Sequence, residues 1–156
     1  MSTAEVLTTA LSGWTEHIKS LGVDVPEALL CTDVDPQISP CPRDTIPLTS
    51  FARIAEFVGD HATCANASWL IGENYDLAGL GKVGEAVLSA RTLGGALRRL
   101  TDNFELLQDA SLLALETTAE TVTISYRILD PSIWPRHQDA LFSLGIVSKI
   151  IKLAVP

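Results

Sequence analysis

Residues 134–139, Trp-Pro-Arg-His-Gln-Asp, put a guanidinium, an imidazole and a carboxylate within a few positions of one another. An enzyme reading would make His137 a general base, with Arg136 or Asp139 beside it. Geometry must come before proton affinity in naming a base, however. Side chains one or two positions apart on a helix point in different directions, so these groups do not readily form one constellation. No Ser or Cys occupies a nucleophile-elbow pattern. The other histidines, His17 and His61, fall in a surface helix and a turn. The glycines of "LAGLGKVG" (77–84) have no preceding strand and no Gly-Lys-Ser/Thr ending, so they read as tight helix starts and close packing rather than a phosphate loop. The same six residues also fit a strand-to-helix corner. Pro135 fixes its own φ and biases Trp134 away from helix. Asp139 suits the positive end of the helix that follows, and Arg136 can pair with a carboxylate or cap carbonyls to hold strand and helix together. Catalysis is the poorest of these readings, and the chain is expected not to be an enzyme.

Ligand binding asks for less: an apolar cavity with a few polar groups to orient the guest. The candidates are Trp69, Asn103, Phe104, Tyr126, Trp134 and Asp139. Each aromatic also has a plain reading as core packing. Asn103 and Asp139 also read as helix-end or solvent-facing groups, and become informative if buried, because a buried polar group needs a partner. Trp69, Phe104, Tyr126 and Trp134 would suit an aliphatic or aromatic body. Asp139 leans the head of such an effector toward a cation such as an amine; the rival is an anionic head held by Arg136 or His137.

The chain that must position these groups has 156 residues, enough for one domain with a proper core. Hydrophobic residues make up 47% and charged residues 19%, which excludes a disordered polymer. A net charge of −8 argues against gripping a phosphate backbone or an anionic membrane surface. No apolar run is long enough to span a bilayer. The start lacks a basic segment and carries Glu5 and Glu16, unlike a signal peptide, and a cytoplasmic location is expected. There Cys31, Cys41 and Cys64 should be reduced; their spacing matches no zinc pattern, and no cofactor is called for.

Along the chain, Val6, Leu7, Ala10, Leu11, Trp14, Ile18 and Leu21 recur at helical spacing over 4–21, with Gly22 to close the helix. "DVPE" (24–27) resembles a capping box for a short helix to about Cys31, and 32–45, with three prolines, reads as an irregular arm. A helix follows, with Thr45 as its cap, a stripe of Leu48, Phe51, Ile54, Ala55 and Val58, and Gly59 as its end. Further helices are expected over 64–72, from Lys82, from a Thr92 cap, and over 138–153. The Thr92 helix should bury Leu93, Ala96, Leu97, Leu100, Phe104 and Leu107. At 111–129 the period changes to two, predicting a β-hairpin whose inner face carries Val122, Ile124, Tyr126 and Ile128. The fold class is α+β: one mostly helical domain with a small antiparallel sheet packed against helices.

Several blocks carry a resemblance. "IPLTSFARIAEFVGD", "LAGLGKVGEAVLSARTLGGALRRLTDNFELL", a hairpin and "LDPSIWPRHQDALFSLGIVSKII" occur in order over roughly residues 20–153. Together the chain resembles the N-terminal effector-binding domain of AraC/XylS-type transcription regulators. The resemblance implies a bacterial sensor that binds a small-molecule effector, often as a homodimer, and passes its state to a C-terminal DNA-binding half. No such half lies within 1–156, so DNA is expected as a partner only through an attached domain, and no membrane partner is expected. The only dense basic pair, Arg98-Arg99, reads as a solvated helix face rather than a DNA-reading element. A ligand-free dimerisation or interaction module is the alternative.

Overall fold

The computed structural model describes residues 3–24, 27, 32, 34, 35 and 38–155. Val25 and Pro26 of the expected capping box, residues 28–30 of the short helix and Cys31 lie outside the described residues. Cys41 and Cys64 are free and half-buried.

Six α-helices run through the described residues: α1 (Trp14–Ser20), α2 (Leu48–His61), α3 (Ala67–Glu73), α4 (Lys82–Leu88), α5 (Leu93–Asn103) and α6 (His137–Ala154). Two small antiparallel sheets join them. Strand β1 (Glu5–Leu7) pairs with β2 (Thr45–Pro47), and β3 (Ser111–Thr117) pairs with β4 (Val122–Ile128). The α+β class and the 111–129 hairpin are as the alternation predicts.

Several features depart from the sequence reading. The continuous helix expected over 4–21 is instead a strand, a 3-10 turn at Thr8–Leu11, and then α1. The break falls at Gly13, whose φ of +78° is a left-handed value open to glycine; Gly22, at φ +83°, closes α1 as expected. Thr45 does not cap α2: it belongs to β2, and its hydroxyl donates to the Glu5 carboxylate. Nor does Gly59 end α2, which continues to His61, where the ring stacks on Phe57. The α2 stripe itself is correct, with Leu48, Phe51, Ile54, Ala55 and Val58 all buried. Thr92 caps α5 by accepting from Gly95 N. On that helix Ala96, Leu97 and Leu100 are buried, whereas Leu93 and Phe104 are only half-buried. Phe104 falls beyond the helix, in the 3-10 turn Phe104–Leu106.

The core is centred on α6. Phe142 packs its ring against Trp14 at 5.1 Å and Phe51 at 5.6 Å, and Tyr75 meets it edge-on at 5.9 Å. On one flank α6 crosses α3 at the glycine pair Gly72 and Gly145. A Cβ on Gly72 would meet the Phe142 carbonyl oxygen, and one on Gly145 would meet the Trp69 carbonyl oxygen, so the two backbones touch with no side chain between them. On the other flank lies the hairpin. Its inner face is closed by Leu113 and Ile128, half-closed by Leu115, Ile124 and Tyr126, and open at Val122, which is 57% exposed at the hairpin's far end. Val122 was expected inside, but it stands exposed.

Candidate functional site

Between the hairpin flank of α6 and the N-terminal strand lies an apolar cavity of about 40 Å³. Val6 and Thr9 form one wall, and Leu100 and Phe104 another. Phe142, Ser143 and Ile146 supply the α6 wall, and Gln108 closes one edge. These walls come from distant parts of the chain because β1 is tied to the segment after α5. Leu7 N donates to Leu107 O at 3.0 Å and Asp109 N to Glu5 O at 2.8 Å, with Val6 bridging to Gln108.

A polar relay leads from Gln108, at the edge of this cavity, to the first turn of α6. Asp139, in the first turn of α6, is fully buried and accepts a hydrogen bond from the Tyr126 hydroxyl on its Oδ2. Tyr126 in turn accepts from Gln108 Nε2 at 2.6 Å. The same nitrogen donates to Ser111 Oγ at 2.6 Å, and Ser111 Oγ donates to Asp109 O at 2.9 Å. Among the described residues, Asp139 Oδ1 has no partner although it is buried. Burial raises the Asp139 carboxyl to about 6, against the lowering effect of the Tyr126 hydrogen bond and with the nearby Glu56 charge adding to the rise. Burial also raises the Tyr126 hydroxyl, and the Asp139 charge pushes it further in the same direction.

Of the six residues singled out from the sequence, the structure brings three together. Phe104 lines the cavity and meets Tyr126 edge-on at 5.8 Å, and Tyr126 holds Asp139. The other three lie apart. Trp69 sits half-buried on α3, on the far flank of α6. Asn103 donates its Nδ2 to Arg99 O at 2.7 Å, closing the end of α5. Trp134 is 73% exposed, with the Arg136 guanidinium 5.6 Å from its ring centre. Arg136 acts as a corner clamp, donating to Ile128 O at 2.9 Å and to Asp130 O at 3.3 Å. Trp134, Arg136, His137 and Tyr126 border an outer recess. His137 is exposed while Asp139 is buried, and the two do not form an acid–base pair.

Sequence reasoning missed Thr9, Gln108 and Ser143. Thr9 was placed within a helix. Gln108 sits in the short junction "LLQDA", where neither helical nor strand period applies, and Ser143 is a small polar residue in a helix that is apolar nearly all round. Only knowledge of which segments meet could have found them.

The family model described as the arabinose-binding domain of AraC transcription regulators, N-terminal, matches residues 22–156. No curated protein matches the chain. Among the described residues, no helix is long and apolar enough to cross a membrane.

Proposed function

The chain belongs to the family of arabinose-binding domains of AraC transcription regulators, and from this membership we propose that it senses a small amphipathic effector through the cavity beside α6. Membership makes it a ligand-sensing regulatory domain; the nature of the effector is argued from the cavity. The observation that carries the reading is an apolar cavity edged by a relay that ends on a buried carboxylate. The apolar walls disfavour a sugar, which carries a hydroxyl on nearly every carbon and would leave those groups unpaired. They favour an aliphatic or aromatic body with one polar head. Asp139, the nearby Glu56 and the chain's acidic balance lean that head toward an amine, because a buried carboxylate favours a positive partner.

Ligand pockets typically enclose about 300–1,000 Å³, so a cavity of about 40 Å³ must open to take a whole effector. The wall suited to move is Phe104, half-buried in a 3-10 turn rather than locked in a helix. An effector there would touch Phe142, Ser143 and Ile146 and so bias the setting of α6. Through α6 it would control an attached DNA-binding half of a bacterial regulator. Such a protein works where the DNA is, in the cytoplasm, and without catalysis.

A second reading, a ligand-free dimerisation module, is supported by the other end of α6. There Leu88 and Leu153 are 53% and 60% exposed beside a groove of about 430 Å³. Self-association through such a face is compatible with sensing, and an isologous two-fold contact is its commonest form. A thermal-shift screen of amines, amino acids and fatty acids decides between the readings. An effector that binds only the native state raises the melting temperature; no shift with any class, together with a dimer in light scattering, would leave the dimerisation module.

A further inference from the structure

Gln108 is a buried amide whose orientation is fixed by what its neighbours can still accept. Both of its hydrogen-bond partners already use their own proton elsewhere. The Tyr126 hydroxyl donates to Asp139, and the Ser111 hydroxyl donates to the Asp109 carbonyl. A hydroxyl has one proton to give, so each can only accept from Gln108. The amide must therefore turn its nitrogen toward them, and both Nε2 hydrogens are used. Reversing the amide would set Oε1 against the Tyr126 oxygen, whose proton is committed to Asp139. Oε1 accepts no hydrogen bond from any described residue and is not wholly enclosed, and Gln108 borders the cavity.

We infer that Gln108 is a specificity-determining residue of the effector site, presenting Oε1 to the cavity as a fixed acceptor that selects a ligand head with an N–H or O–H to donate. The inference rests on the effector reading above and deepens it. Tyr126, Ser111 and Asp139 are positioning residues: they set which end of the amide faces the ligand without touching it. Ser143 also borders the cavity, but its hydroxyl can donate or accept by rotation, so it does not discriminate. A head that can only accept, such as an ether or a carboxylate, would meet Oε1 with lone pair against lone pair. An amine or an alcohol would satisfy it. Asp139 thus favours an amine from a distance, while the direct contact is a neutral carbonyl that also accepts an alcohol.

The test uses a matched set of short probes on the whole chain: n-pentylamine, 1-pentanol, butyl methyl ether and pentanoate. Affinities come from calorimetry, and the Gln108 side-chain amide is followed by ¹⁵N NMR. Wild type should prefer pentanol over the ether by roughly tenfold, the scale of one buried group left unpaired. Tyr126→Phe and Gln108→Met should each bring that ratio toward one while the ether still binds. Tyr126→Phe keeps the ring and frees the amide to turn, so it guards against a Gln108→Met variant that fails to fold. A merely structural role would change melting temperature but leave the ratio alone. If both variants keep the wild-type preference, or wild type binds alcohol and ether alike, the assignment of Gln108 is overturned while the effector reading stands. If no probe of any head class binds wild type, the effector reading falls and this inference with it.

Discussion

Helix α6 is held in two opposite ways on its two flanks. Against α3 it is joined backbone to backbone at Gly72 and Gly145, where no added atom fits. Against the hairpin and the N-terminal strand it faces a cavity, a half-buried Phe104 and a buried carboxylate with one unpartnered oxygen. The first flank is a close-packed contact of the kind that transmits displacement and does not absorb it. The second has a cavity and a buried carboxylate, features that a guest could use. Under the proposed function, one rigid element fixed on one side and yielding on the other would give a sensing helix both a fulcrum and a place to be pushed.

Adding a single methyl group to the stiff flank would break the contrast most severely. Gly72→Ala puts a carbon against the Phe142 carbonyl oxygen and 2.9 Å from Gly145 Cα. Neither backbone can give way cheaply, and the expected loss is at least about 3 kcal/mol, read as a fall in the urea midpoint.

Next in size is Asp139→Asn, which probes the charge on the yielding flank. Asp139 is raised from 3.8 to about 6, so the folded state holds its proton more tightly than the unfolded chain does. Its contribution to stability is fully present below about pH 4 and is lost as pH rises through about 6. The variant lacks this loss. From about pH 4 to about pH 7.5 the stability difference should therefore move in the variant's favour by about 2–3 kcal/mol, measured by denaturation at both pH values. Glu56 and Tyr126 are the ionisable groups that act on this carboxyl, and a Glu56→Gln background should narrow the difference.

Phe104→Ala should cost about 2 kcal/mol, less than a fully buried ring, because the side chain is already half-exposed. It should also enlarge the cavity and weaken binding of an apolar body in calorimetry. Ser143→Ala should be the mildest change, within about 1 kcal/mol in the same denaturation assay. A larger effect from Ser143 than from Gly72 would invert the proposed division between the flanks.

Much of the framework was legible in the sequence. The α2 stripe runs through a 14-residue helix, long enough for period to outweigh chance, and Thr92 announces α5 by its type and place. Within the hairpin, alternation put Tyr126 on the inner face and first-turn logic put Asp139 at the start of α6. The N-terminal and junction walls of the cavity were not legible, for physical reasons. Strand β1 has only three residues, too few to show any period, and its pairing partner lies 40 residues away in register. The value of Gln108 comes from two hydroxyls whose protons are directed by groups at 109 and 139, which no local pattern encodes. Hydrophobicity drew Trp134 toward a pocket, but its ring stands in solvent with Arg136 over it.

The family match begins at residue 22, whereas Val6, Leu7, Thr9 and Ala10 all border the cavity. A boundary drawn by sequence similarity and one drawn by enclosure therefore differ by more than a dozen residues. A fragment cut at residue 22 would carry the family signature yet lack a wall of the cavity, with the backbone groups of Leu107 and Asp109 left unpaired. For anyone fusing this sensor to a foreign DNA-binding half, the portable unit starts at β1. The least family-like segment is the part that must not be trimmed.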